Sequence, residues 1–224
     1  MSTITKICLI LFITIIFFNK KIVSYYYVNK LSSWVERPVK IESLSFKYSG
    51  YLEIKGIEIL DSNKNYYQNI FEADKIKISF DTKSLFSDLI VIKNLNIINP
   101  EFFLDIRIVK DSQNLGKEKT VYDDNIGLAK KINEKTPDKI WPPKKKDINF
   151  LILESVLSGA KGNIKVSSIS EPSKIILSKM KFSSFGNEKN YRHYKDILKI
   201  ILFDLYARTK EVKLKNILKE IYKF

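Results

Sequence analysis

The chain has 224 residues, of which 45% are hydrophobic and 29% charged, and its formal net charge is +14. This is enough apolar material for a sizeable core and excludes an intrinsically disordered chain. Cys8 is the only cysteine, which excludes an intramolecular disulfide and any multi-cysteine metal centre.

Residues 7–18, ICLILFITIIFF, form an apolar run flanked by Lys6 and by Lys20-Lys21. A helix of that length covers ~18 Å, short of the ~30 Å hydrocarbon core, but snorkelling lysines extend the usable span to about Ile4–Val23. We read an uncleaved signal anchor carried by Ile7, Leu11, Ile15 and Phe18, with a cleaved signal and a buried helix as alternatives. Lys20, Lys21, Lys30 and Arg37 follow the run, so the positive-inside rule alone places the body of the chain in the cytoplasm. Tyr25, Tyr26, Tyr27 and Trp34 suit either an interfacial aromatic belt or an amphipathic connector.

From Val39 the apolar residues fall on a strand-like grid. Four stretches share the spacing i, i+2, i+5, i+7: Val39–Phe46, Leu52–Ile59, Phe71–Ile78 and Ile90–Ile97; Leu104, Ile106 and Ile108 then alternate plainly. At ~100° per residue these offsets scatter around a helix, whereas on a strand each i, i+2 pair shares a face and the step of three marks a flip or a bulge. Ser49-Gly50 reads as a hairpin turn, Gly56 sits at the phase step, and residues 61–69 form a polar loop. Residues 83–88 read as one helical turn, and Asn99-Pro100 breaks the chain before a fifth strand.

The pattern lapses over 111–147, read as a polar crossing loop with at most a short helix near Asn125–Glu134, closed by the stiff segment Trp141–Lys146. Strand character returns over Ile148–Val156, turns at Gly159–Gly162, and repeats the spacing at Ile175, Leu177, Met180 and Phe182. Residues 191–206 change to helical period, and Leu214, Ile217, Leu218 and Ile221 stripe a second, lysine-rich helix. That helix either caps the sheet or lies on an anionic membrane.

Chemistry-bearing patterns are scarce. His193 is the only histidine and sits at a helix start, where a solvated role is expected. The seven glycines form no phosphate-binding loop, and the carboxylate pairs Asp123-Asp124 and Glu72/Asp74 read as solvated loop or edge residues. We expect no enzyme, no cofactor, no metal site and no nucleic-acid partner.

The stretches VKIESLSFKYSGYLEIKGIEI and FEADKIKISFDTKSLFSDLIVIKNLNIINPEFFLDI, following an anchor, resemble the N-terminal region of AsmA-like proteins of the bacterial envelope. Ala73-Asp74, Ser84-Leu85 and Pro100 fall where that pattern places them. Five strands and a crossing loop are also similar to one unit of the repeating β-groove lipid-transfer proteins. The resemblance implies a single-pass inner-membrane protein with most of the chain in the periplasm, against the lysine distribution. It also implies an apolar groove that handles membrane lipids or supports envelope assembly.

The expected fold is α+β, mostly β: a curved antiparallel sheet of about eight strands, an N-terminal membrane helix and two C-terminal amphipathic helices. The expected divisions are an anchor over 1–30, the five-strand region over 31–110, the loop over 111–147, further strands over 148–186 and helices over 187–224. Ile41, Ile54, Ile78, Phe80, Ile92 and Ile106 are the expected lipid-facing residues. In the alternative reading the helices plug the groove and the surface binds an envelope protein partner.

Overall fold

The computed structural model describes residues 25, 28–33, 35–47, 49–61, 65–111, 119–125, 127, 149–187 and 191–223. The anchor residues Ile7, Leu11, Ile15 and Phe18, and the segment Trp141–Lys146, lie outside them. Among the described residues no helix is long and apolar enough to cross a membrane.

Among the described residues ten strands form one mixed sheet: β1 (Val39–Lys47), β2 (Tyr51–Leu60), β3 (Asn69–Phe80), β4 (Leu89–Asp111), β5 (Lys119–Asp124), β6 (Asn149–Ser158), β7 (Lys161–Val166), β8 (Ser173–Ile176), β9 (Met180–Gly186) and β10 (Arg192–His193). Two helices follow, α1 (Tyr194–Arg208) and α2 (Val212–Tyr222). The fold is therefore mostly β with a helical C-terminus, as the periodicity predicts.

Strands β1 to β4 form an antiparallel meander, and Gly50 makes the first turn at φ 80°, its N–H bonding the Lys47 carbonyl at 3.0 Å. The 23-residue β4 is the spine of the sheet. One of its edges takes β3 and then β5; the other takes β6 and then β7, both parallel to it. The expectation of an all-antiparallel sheet of about eight strands is corrected here. The spacing i, i+2, i+5, i+7 reads the same in both directions, so it carries no information on strand direction.

Three local expectations change for related reasons. Asn99-Pro100 does not end a strand; β4 runs through it, with Asn99 at φ 50°. Gly159-Ala160 likewise bends the chain without reversing it, because Ser158 and Lys161 keep the same parallel offset to Ile98 and Glu101. The Ile175–Phe182 stretch divides into β8 and β9, which pair with different strands, β7 and β6. Within the 111–147 segment, β5 pairs with Ile106–Asp111 and Asn125 is a turn residue; the rest of the short helix expected near Asn125–Glu134, residue 127 apart, lies outside the described residues. Its KTVYDD sequence holds three β-favouring neighbours, Thr120, Val121 and Tyr122, too short a run between charged residues to register as a pattern.

The step of three is a kink, not a flip. Register places Glu42, Gly56, Asp74, Asn99 and Gly159 on one line across five strand positions. Every strand takes its extra residue at the same level, so pairing stays in register on both sides: Ile41 with Ile57 and Ser43 with Lys55, Ala73 with Pro100 and Lys75 with Ile98. A Cβ on Gly159 (φ 68°) would sit 2.1 Å from Asn99 Oδ1, so this position admits only glycine while Asn99 donates to Asp74 at 2.7 Å. A second line joins Lys93, Leu153 and Ser184, the last at φ 49°.

The helices seat on one end of one sheet face. Leu205 and Leu202 of α1, and Leu214, Ile217, Leu218 and Ile221 of α2, close a core with Leu104, Ile106, Ile164 and Val166. Gly162 gives the close approach: a Cβ there would lie 2.3 Å from Leu205 Cδ1. Asp204 ties α1 down, accepting from the Ser178 N–H and hydroxyl at 2.8 Å each and from Arg208 at 3.0 Å. Burial pushes the Asp204 carboxyl up, but these donors outweigh it and hold it below the usual carboxylate range. His193 caps α1, its Nδ1 accepting from the Lys195 N–H at 3.2 Å.

Candidate functional site: an apolar sheet face

Cross-strand register builds the site directly. Val39, Ile41, Leu44 and Phe46 face Ile59, Ile57, Ile54 and Leu52. Those four in turn face Phe71, Ala73, Ile76 and Ile78. Phe71, Ala73, Ile76 and Ile78 meet Phe102, Pro100, Ile97 and Leu95, and Phe80 meets Ile92. Apolar thus meets apolar across three consecutive interfaces, and the face continues through Ile152, Leu157 and Ile164. All six residues expected to face lipid lie on this face by register: Ile41, Ile54, Ile78, Phe80, Ile92 and Ile106.

Their surroundings differ. Ile106 is fully buried in the core completed by α1 and α2. Ile54 is buried, and Ile41 half-buried, in a second cluster where Leu31 and Val35, from the helical stretch before β1, pack on Val39, Ile57 and Ala73. Ile92 borders a third cluster of Ile152, Phe185 and Ile197. Phe46, Ile78 and Phe80 belong to none of these clusters, and Phe46 is 54% exposed. Among the described residues the face is thus roofed from two sides, and at the end carrying the β1–β2 hairpin Phe46 is exposed while Ile78 and Phe80 are half-buried. At the same end Gly50 abuts Phe80 and Thr82, and a 3₁₀ turn at Thr82–Phe86 presents Phe86, 93% exposed.

The opposite face is polar and fixes register. Glu101 accepts from Lys161 at 2.6 Å and from Asn163 at 3.1 Å, joining β4 to β7. The Lys161 hydrogen bond holds the Glu101 carboxyl below the usual range against the opposing effect of burial. A shallow open depression on this face lies among Ser45, Lys47, Tyr51, Glu53 and Ser79. Glu53 accepts there from the Tyr51 hydroxyl at 3.1 Å.

A buried polar clasp at the other end of the sheet was invisible in the sequence. Asp61, whose side chain is 0% exposed, accepts from Arg37 at 2.7 Å, from Asn65 at 2.6 Å and from Asn125 at 3.2 Å. Arg37 also donates to the Asn125 carbonyl, Asn125 Oδ1 accepts from the Asp105 N–H, and Asp105 accepts from the Tyr66 N–H. This ties together the entry to β1, the 61–69 loop and the end of β5. Beside it, burial pushes the Tyr67 hydroxyl up to about 12, with Tyr66 and Asp105 adding to the shift. The expectation that Asp123-Asp124 is solvated holds for Asp123 only; Asp124 is buried, near enough to Tyr222 of α2 to raise that hydroxyl further above the effect of its burial. Asp74 is exposed and bonded to Asn99, and Glu72 is half-buried and accepts from Asn69.

No group of three or more histidine, cysteine, aspartate or glutamate side chains among the described residues could hold a metal ion. No protein family, curated protein or solved structure matches this chain.

Proposed function

We propose that the chain is a lipid-handling module of a cell envelope, with an acyl chain lying on the open end of the sheet face. The observation that carries this reading is the group Phe46, Ile78 and Phe80, which continues the apolar grid but, among the described residues, joins none of the three clusters; Phe46 is exposed, and Ile78 and Phe80 are half-buried. Apolar area of this kind gains roughly 25 cal/mol per Å² when covered, and an acyl chain covers a strip of it without needing polar partners. The resemblance to AsmA-like proteins supports the same reading, and with it an inner-membrane anchor and a periplasmic body. No reaction is assigned, since no side-chain constellation suggests one.

The second reading, an interaction protein plugged by its own helices, draws on the seating of α1 and α2, whose Leu214 and Leu218 are fully buried. It describes one end of the face and leaves the Phe46–Phe80 end unexplained, so we place lipid there and a permanent plug beyond it.

Ile78→Ser separates the readings. Full-length protein extracted in mild detergent should carry phospholipid by native mass spectrometry. Ile78→Ser should carry several-fold less while its melting temperature falls by no more than a few degrees, because Ile78 packs under no helix. Lipid-free wild-type protein, or a melt lowered as far as by a core truncation, would overturn the lipid reading. Reporter fusions after Lys110 and Phe224 should be active only in forms that work outside the cytoplasm; cytoplasmic activity at both would remove the envelope setting.

A further inference from the structure

Among the described residues, no strand pairs with the outer edge of β1. The Pro38 carbonyl accepts from the Leu60 N–H at 2.9 Å, so by alternation Val39 and Ile41 turn their backbone groups away from β2. Ser32 Oγ takes the outward N–H of Val39 at 3.0 Å. Beyond it the edge carries Lys40, Glu42, Ser43, Ser45, Phe46 and Lys47, all exposed. Natural edges are blunted by prolines, bulges, edge lysines or inward charges; over Val39–Lys47 there is no proline and the inward positions are apolar, while Lys40 and Lys47 flank the strand and its kink at Glu42 is one that β2 already matches in register.

We infer that this edge pairs antiparallel with β1 of a second copy of the chain. Because i, i+2, i+5, i+7 reads identically in reverse, a strand bearing it can pair antiparallel with its own copy and obey the rule that governs β1–β2, β2–β3 and β3–β4. One register does so: Val39 opposite Phe46, with the Val39 N–H kept by Ser32 and only its carbonyl left to the partner, Lys40 opposite Ser45, Ile41 opposite Leu44 and Glu42 opposite Ser43. It sets apolar against apolar, lays the two kinks side by side and opposes no like charges. A slip of one residue puts Leu44 opposite Lys40 or Ile41 opposite Ser45. A slip of two puts Lys40 opposite Lys47, or Ile41 opposite Glu42. A partner of unrelated sequence would have to reproduce both the kink and the apolar order; a second copy carries them already. Pairing also covers Phe46 and joins the two apolar faces into one. The inference stands whether or not that face holds lipid.

The test uses the full chain in mild detergent, in a Cys8→Ser background. Light scattering should report a dimer at micromolar concentration. Mixed Lys40→Cys and Ser45→Cys proteins should form the intermolecular disulfide several-fold faster than Lys40→Cys mixed with Lys47→Cys, which probes the slipped register. Phe46→Lys should weaken the dimer about tenfold or more while leaving the thermal melt in place, since Phe46 is exposed in the single copy. Equal disulfide rates in the two mixtures would mean association elsewhere, such as through the N-terminal run, and would overturn the inference. So would a monomer at every concentration, including one that associates only with a different protein, or a dimer indifferent to Phe46→Lys.

Discussion

Truncating Leu218 to alanine should lower stability by about 3–5 kcal/mol, the range for emptying a leucine-sized space that cannot collapse. Leu218 is fully exposed to no solvent at all, lying at 0% beside Leu214, Ile217 and Ile221 against the sheet. In a chain of this size the midpoint of thermal unfolding should fall by about 10 °C, whereas Lys219→Ala on the exposed side should shift it by no more than a degree or two. The comparison also decides what the lysine-rich helix does. A helix that leaves the sheet for an anionic membrane would give a Leu218→Ala melt close to wild type and weaker binding to anionic vesicles. The packing described here gives the opposite pair of results.

Asp61→Ala should cost about 3–5 kcal/mol, toward the lower end because the Arg37 left behind is 17% exposed and reaches some water. Removal of the carboxylate takes an acceptor from Arg37, Asn65 and Asn125 at once, although Arg37 keeps the Asn125 carbonyl and Asn125 the Phe103 carbonyl. Replacing Arg37 by methionine as well should recover part of the loss, since the uncompensated charge is gone while the two amides still lack their acceptor. Urea titrations of the two single variants and the double variant measure this coupling. Additive effects would show that the clasp is not one network. Lipid carried by Asp61→Ala should stay near wild type below its melting temperature, because the clasp lies at the end of the sheet away from Phe46 and Phe80.

How much of this was legible beforehand depends on which signals are local. The strands, the Gly50 turn, the special place of Gly56 and the two helices follow from spacing within one element, whereas that spacing left a flip and a kink equally open and only the register between strands decides for the kink. The parallel course of β6 and β7 does not, because a spacing symmetric under reversal fits either direction. The long polar segment before β6 was the available hint, since parallel neighbours need a long crossover. Asn99 and Gly159 look like breakers in isolation; only their alignment across the sheet makes them a shared bend. The Arg37–Asp61–Asn125 clasp joins residues 24 and 64 positions apart, and no periodicity marks such a contact. The openness of Phe46, Ile78 and Phe80 depends on where the helices stop, which the strands themselves do not encode.

The central position of β4 also sets an order of events in time. Strands β1 to β4 each pair with the next in sequence, so that meander needs only short loops to close and can assemble as soon as Asp111 has been made. The other flank must wait, because Leu89 pairs with Asn149, sixty positions later, and α2 ends only at Tyr222. At ~5–20 residues per second, synthesis of the intervening chain takes roughly 5–20 s. Throughout that interval the nascent meander presents the part of its apolar face that Leu31 and Val35 do not cover, Ile106 included, with α1 and α2 not yet made. Late synthesis of the C-terminal helices then shields one flank, and the region around Ile78 and Phe80 keeps the exposure it had from birth. A ligand that belongs there can be acquired co-translationally, and a chaperone that protects this chain has to recognise the same strip.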